Sequence, residues 1–190
     1  SGVLVVNPPG RNAQAVAEHA LGLMLAVARN IPASHQYVKE GRWENPVEPY
    51  VAMRGVELYG KTLGLIGLGA IGRRLSAIGM ALGMHVMACD PYAPVLEGVS
   101  MASLDAVLSE ADFLSIHVPL TDETDGLLDE KRLPLMKKTA YLVNCSEASV
   151  IERAALVAAL ERHELAGAAL DVFETHPVAP DNPLLALDSV

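Results

Sequence analysis

Three glycines in the stretch "TLGLIGLGAIGRRL" stand at Gly67, Gly69 and Gly72. This is the G-x-G-x-x-G spacing of a turn that holds phosphate on backbone amides. Gly67 permits the tight turn, Gly69 lets the backbone approach a pyrophosphate, and Gly72 allows close packing of helix on sheet. The motif has meaning only after a strand and at the start of a helix, and the apolar run before it and the "AIGRRLSAIGMAL" after it supply that context. The helix N-terminus then offers unpaired N–H groups to the phosphates. The next apolar run ends in "ACDPY", which puts Asp90 18 residues after Gly72. A carboxylate there accepts hydrogen bonds from both hydroxyls of an adenosine ribose and repels a 2′-phosphate. No Arg or Lys follows it nearby, which favours NAD over NADP.

A second set of polar residues lies further along. In "YLVNCSEASV" the apolar Tyr141, Leu142 and Val143 give way to Asn144, Cys145, Ser146 and Glu147 where the chain should leave a sheet. In open α/β proteins that edge binds ligands. His117 closes the apolar run "DFLSIHV" and is read as lining the same cleft rather than as a catalytic group. His19 is read as a residue of the first helix at a domain or subunit contact. No His, Cys, Asp or Glu group has metal-ligand spacing.

The elements that must position these residues follow from the hydrophobic rhythm. From Lys61 onward, apolar strands ("TLGLIG", "HVMACD", "DFLSIHV", "AYLVN", and one within "LAGAALDVF") alternate with helices. The helices are Ala70 to about Leu82, "SLDAVLSEA", a short one near Asp129–Met136, and "ERAALVAALERH". That alternation predicts an α/β fold, a Rossmann-type doubly wound parallel sheet with helices on both faces. Before it, "VLVVN" reads as a short strand broken by Pro8, Pro9 and Gly10. Asn12 then caps a helix through about Asn30, with Pro32 beyond. That helix is apolar nearly all round between Ala20 and Ala28, so it is either a core helix or one buried partly by another subunit. Residues 31–60 read as irregular, functional or covering an interface.

Composition bounds the partners. The chain has 190 residues, 51% of them hydrophobic, and a net charge of −9. The charge argues against nucleic acid or an anionic membrane surface as a partner. No apolar run approaches the ~20 residues of a membrane span. Cys89 and Cys145 show no disulfide framework, which fits a reducing cytoplasm. The ending "NPLLALDSV" reads like the approach to another strand, and the chain as a piece of a longer protein.

The stretches "VLVVNPPGRNAQAVAEHALGLMLAVARNI", "GVELYGKTLGLIGLGAIG", "HVPLTDETDGLL", "KKTAYLVN" and "LAGAALDVFETHP" occur here in order. Together they resemble the nucleotide-binding domain of the D-isomer-specific 2-hydroxyacid dehydrogenases, with phosphoglycerate dehydrogenase and its relatives nearest. The resemblance implies one NAD-binding domain over residues 1–190. Residues 1–60 carry an opening strand, the long helix and an interface loop; residues 61–190 form the Rossmann core; the substrate domain lies outside this chain. It also implies a set of NAD contacts. Ala70 and Ile71 lie against the pyrophosphate, and Asp90 holds the adenosine ribose. His117, Val118, Pro119 and the chain to Thr121, with Thr124, line the adenine side. Cys145, Ser146 and Glu147 pass the nicotinamide ribose, largely through backbone, and Asp171 accepts from the carboxamide. A homodimer built through this domain, with the first helix and the Trp43 segment at its interface, is implied as well.

The chain departs from the family where the chemistry is done. The family's substrate-gripping arginine follows "N-x-(A/S)", and here that position is Glu147. The glutamate before the proline of "DVFExEP" is here His176, in "ETHP". The proton-transferring histidine of "TPH" would fall beyond Val190. Glu147 would repel a substrate carboxylate at short range. If Glu147 and His176 are within reach, Glu147 would favour the protonated imidazole; Glu174 is offset by two residues from the missing glutamate. Two functions are therefore expected: an NAD-dependent oxidoreductase acting on a hydroxy or keto small molecule, or a catalytically altered NAD-binding regulatory or scaffold protein.

Overall fold

The computed structural model describes residue 2, residues 10–45 and residues 47–190. The strand read at Val3–Asn7, with Pro8 and Pro9, lies outside the described residues. Six strands form one parallel sheet: β1 (Thr62–Ile66), β2 (His85–Cys89), β3 (Val99–Met101), β4 (Phe113–Ile116), β5 (Tyr141–Asn144) and β6 (Gly167–Leu170). Their order is β3-β2-β1-β4-β5-β6, so the winding reverses between β1 and β4, where such sheets open a crevice at their carboxyl ends. The register sets Ile66 beside Cys89 on one side and Ile116 on the other, and Asn144 beside Ile116 and Leu170. The strand ends that carry the polar residues are therefore level.

Period-2 alternation divides the strands between two apolar layers. Leu63, Leu65, Phe113, Val143 and Ala169 face a layer shared with α1 (Ala13–Ala28) and α4 (Ala70–Ala81). Ile66, Leu114, Ile116, Leu142 and Ala168 face the other, with α5 (Leu104–Glu110) and α6 (Arg153–Glu161). Both faces of every central strand are thus covered, and this is why the strands read as unbroken apolar runs. Phe113 and Tyr141 stack across β4 and β5 with ring centroids 5.4 Å apart. At the opposite edge Asp112 ties three strand starts together. Its carboxylate accepts from Thr62 N–H (2.9 Å) and Lys137 Nζ (3.0 Å), and its carbonyl accepts from Tyr141 N–H. Burial works to raise the Asp112 pKa, but the Thr62 N–H and the Lys137 ammonium outweigh it and hold the carboxyl below its ordinary value.

Several expectations are corrected. Residues 31–60 are not irregular throughout: they contain α2 (Ile31–Lys39) and α3 (Val47–Ala52). Pro32 does lie beyond α1, which ends at Ala28, but it also stands in the first turn of α2, where its missing N–H costs nothing. β3 was hidden because three residues are too few to show a period. The helix expected near Asp129–Met136 is a single 3₁₀ turn, Leu133–Leu135. Asn12 stands at the N-cap of α1, but its side chain makes no capping hydrogen bond. The ending "NPLLALDSV" carries a 3₁₀ turn at Pro183–Ala186, and Ala168 N–H of the edge strand β6 then donates to the Ser189 carbonyl at 2.8 Å, as a chain approaching the sheet edge would allow. α1 is buried along one stripe, Ala13, Ala17, Ala20, Met24 and Ala28. These small side chains let it lie close on α4, β5 and β6. Leu25 on another side is 36% exposed.

Candidate functional site

β1 runs directly into the glycine turn. Gly67 has φ +94°, a left-handed conformation, and a Cβ on it would stand 2.5 Å from the His117 carbonyl oxygen. A Cβ on Gly72 would collide with the Gly67 carbonyl, whereas one on Gly69 would meet nothing within 4 Å. The first and third glycines are therefore demanded by packing, and the second leaves open space above the turn. Gly67 N–H donates to the Cys89 carbonyl and His117 N–H to that of Ile66, so the turn is anchored to both neighbouring strands. Ala70 is exposed at the first residue of α4, and Ile71 packs on the core layer beneath.

A cleft of about 710 Å³ opens beside this turn. Gly67, Gly69, Asp90, His117, Val118, Pro119 and Thr124 all line it. Asp90 is held by three backbone donors: Leu68 N–H at 2.7 Å, Tyr92 N–H at 2.9 Å and Ala93 N–H at 3.0 Å. Burial acts to raise its pKa, but these donors and the charge of Arg73 overcome that and lower it, so the carboxylate is ionised. Arg73 comes from α4, with Nε donating to the Leu68 carbonyl at 3.0 Å, so a cation does stand near Asp90, though none follows it in sequence. Thr124 locks the loop after β4 by donating to the Pro119 carbonyl (2.6 Å) and accepting from Thr121 N–H (2.8 Å). Tyr92 Oη reaches Glu123 Oε2 at 3.2 Å across the mouth. No motif marked that pair. His117 Nε2 lies 2.9 Å from Ser115 Oγ, and its buried Nδ1 has no hydrogen-bond partner. Burial pushes its pKa down to about 4, so the ring is neutral at pH 7 where it lines the cleft.

The second group of residues sits at the ends of β5 and β6, outside that cleft. Buried Asn144 organises it: Nδ2 donates to the Glu147 carbonyl (2.9 Å), and Oδ1 accepts from Ser146 N–H (3.0 Å) and Oγ (3.1 Å). Glu147 is thereby presented on a rigid turn with its side chain exposed. Cys145 is pushed up to about 11 by burial and by the charge of Asp171, so it remains a thiol. Asp171 N–H bonds the Asn144 carbonyl (3.0 Å), and Asp171 Oδ1 lies 3.1 Å from His19 Nε2. His19 therefore meets the chain just past the end of β6. No ion pair or hydrogen bond joins Glu147 to exposed His176 among the described residues. Glu174, the offset carboxylate, is engaged by Arg153 at 3.3 Å.

Among the described residues no group of three or more His, Cys, Asp or Glu could hold a metal ion, and no helix is long and apolar enough to cross a membrane. The chemistry on offer suits a dinucleotide. A helix N-terminus stands over open space at Gly69, the ionised Asp90 carboxylate lines the same cleft, and apolar walls lie beyond.

Comparison with known proteins agrees. Residues 21–190 match the family model described as D-isomer specific 2-hydroxyacid dehydrogenase, NAD binding domain. The chain is 43% identical over its whole length to a D-3-phosphoglycerate dehydrogenase of Methanocaldococcus jannaschii, covering 36% of that protein. It is 40% identical to a glyoxylate reductase of Korarchaeum cryptofilum, covering 58% of it. Among solved structures, the D-lactate dehydrogenase of Aquifex aeolicus complexed with NAD and lactic acid superposes with a TM-score of 0.85. It is 32% identical, over 99% of this chain and 61% of that one. The chain thus spans between about a third and three fifths of the length of these relatives.

Proposed function

This chain belongs to the D-isomer specific 2-hydroxyacid dehydrogenase family as its NAD-binding domain, and from that premise we propose that the whole protein is an NAD-dependent dehydrogenase acting on a small hydroxy or keto compound. Bound NAD supplies or accepts hydride at its nicotinamide ring. This chain's residues bind and orient it. The N-terminus of α4 with Gly67, Gly69, Ala70 and Ile71 holds the pyrophosphate, and Gly72 keeps α4 close enough to do so. Asp90 takes the adenosine ribose hydroxyls. His117, Val118, Pro119 and Thr124 wall the adenine side. Cys145, Ser146 and Glu147 flank the nicotinamide ribose through the turn that Asn144 builds. Asp171 accepts from the carboxamide, which decides the ring face turned to substrate. Residues 1–190 act as the cofactor domain, and the substrate-binding half lies in the remainder of the protein.

The observation that carries this reading is the threefold N–H clamp on Asp90 at the cleft mouth. Asp90→Ala is expected to weaken NAD binding about 10- to 100-fold, as loss of charge-assisted hydrogen bonds does, and to narrow the preference over NADP. Calorimetric titration of both cofactors measures this; equal affinity of the unaltered protein for NAD and NADP would sink it.

A second reading, an NAD-binding regulatory or scaffold protein, is favoured by the exposed Glu147 carboxylate. A turnover screen of the full-length protein with NADH and assorted keto acids, aldehydes and ketones separates the two, since cofactor oxidation above background excludes a purely regulatory role. We further propose a cytoplasmic homodimer, in keeping with two free cysteines. Its interface is the exposed apolar side of α1 to α3, where Trp43, Val47, Tyr50 and Val51 are all more than half exposed. Light scattering should give twice the chain mass, and a strict monomer at micromolar concentration would exclude the dimer.

A further inference from the structure

The Asp171 carboxylate does not stand alone at the end of β6. Its main chain is fixed by the bond from its N–H to the Asn144 carbonyl, and its Oδ1 is held by His19 Nε2 at 3.1 Å. His19 lies on α1 between Ala17 and Ala20, both fully buried against the sheet and α4, so its backbone has little freedom. A carboxylate only accepts hydrogen bonds, so the imidazole must carry its proton on Nε2 to serve it. Both side chains are half exposed, which places the pair at the site's edge rather than in the core.

We propose that His19 is a positioning residue: it pins one oxygen of Asp171 so that the other is aimed at the amide of the nicotinamide. This rests on the reading that Asp171 meets the carboxamide. A free carboxylate must be ordered when ligand binds, and one already held is not, an advantage of about three- to tenfold in affinity. α1 thus joins the cofactor site although no glycine or acid motif marks it.

The test is calorimetry on the full-length protein with two ligands, NAD and ADP-ribose, the second lacking the nicotinamide. His19→Ala is expected to weaken NAD three- to tenfold and to leave ADP-ribose within twofold. His19→Gln, whose amide can donate, should recover most of the loss; His19→Asn, too short to reach, should not. Asp171→Asn should weaken NAD alone, with His19→Ala adding nothing on that background. Equal weakening of both ligands by His19→Ala would make α1 docking the cause and overturn the proposal. NAD binding unchanged in His19→Ala but lost in Asp171→Asn overturns the role of His19 and spares that of Asp171. Unchanged NAD binding in Asp171→Asn overturns both. Should His19→Ala not fold, the Gln and Asn variants carry the same comparison.

Discussion

Gly72→Ala should cost NAD binding at least a hundredfold and lower the stability of the domain by about 3 kcal/mol. The added methyl would collide with the Gly67 carbonyl oxygen, a backbone atom of the phosphate turn that cannot rotate aside. Either α4 lifts from β1 or the Gly67 turn opens. Gly67 is itself held by its N–H bond to Cys89 and by close approach to His117, so opening it disturbs β2 and β4 as well. For a domain of this size the thermal midpoint should fall by about 6–12 °C. Gly69→Ala is the matched control. Its methyl meets nothing within 4 Å, so stability should stay within about 0.5 kcal/mol while NAD binding still weakens, because the methyl enters the space given to pyrophosphate. Fluorescence titration with NAD, paired with thermal melts, reads both. A Gly72→Ala protein that melts and binds like its parent would show that the turn does not carry the cofactor.

Glu147→Arg in the full-length protein should raise kcat/KM for a small 2-oxo acid by about a hundredfold, because two charge-assisted hydrogen bonds replace a like-charge repulsion. The turn that presents residue 147 is built by the Asn144 side chain against backbone groups and Ser146, and none of these bonds uses the Glu147 side chain. The substitution therefore changes the charge and leaves the backbone in place. Adding His176→Glu tests whether the two positions act together: a gain beyond the sum of the single variants would show coupling that no direct contact supplies. The measurement is steady-state oxidation of NADH with glyoxylate or pyruvate as acceptor. If the unaltered protein already turns these over as well as the arginine variant, Glu147 does not face the substrate.

Much of the glycine turn and of the cleft beside it was legible in the residues because the demands on them are local. A turn that bends left-handed needs glycine at Gly67, a helix pressed on that turn needs glycine at Gly72, and the acid read as the ribose acceptor, Asp90, directly follows the next strand. Each requirement spans one strand–turn–helix unit, so spacing along the chain reports it. The buried parallel strands were legible for a related reason, since covering on both faces leaves unbroken apolar runs. α2 and α3 were not, because frequent Pro and Gly mask a weak period, although Pro32 in a first turn starts a helix as readily as it ends one.

Other features needed the folded chain. Arg73 near Asp90, Tyr92 across from Glu123, Glu174 on Arg153 and His19 on Asp171 are pairs between separate elements, and nothing in the spacing of either partner announces the other. Asn144 read as the first polar residue after a strand; only its burial shows it as the scaffold of the Glu147 turn. By itself, the sequence determined the fold class, the dinucleotide turn, and the exchange of charge at Glu147 and His176, since these depend on residue type and on neighbours within one structural unit. The tertiary structure decided which side chains meet at the strand ends, because that depends on where α1 and the loops land on the sheet, and sheet order and close small-residue packing set that position.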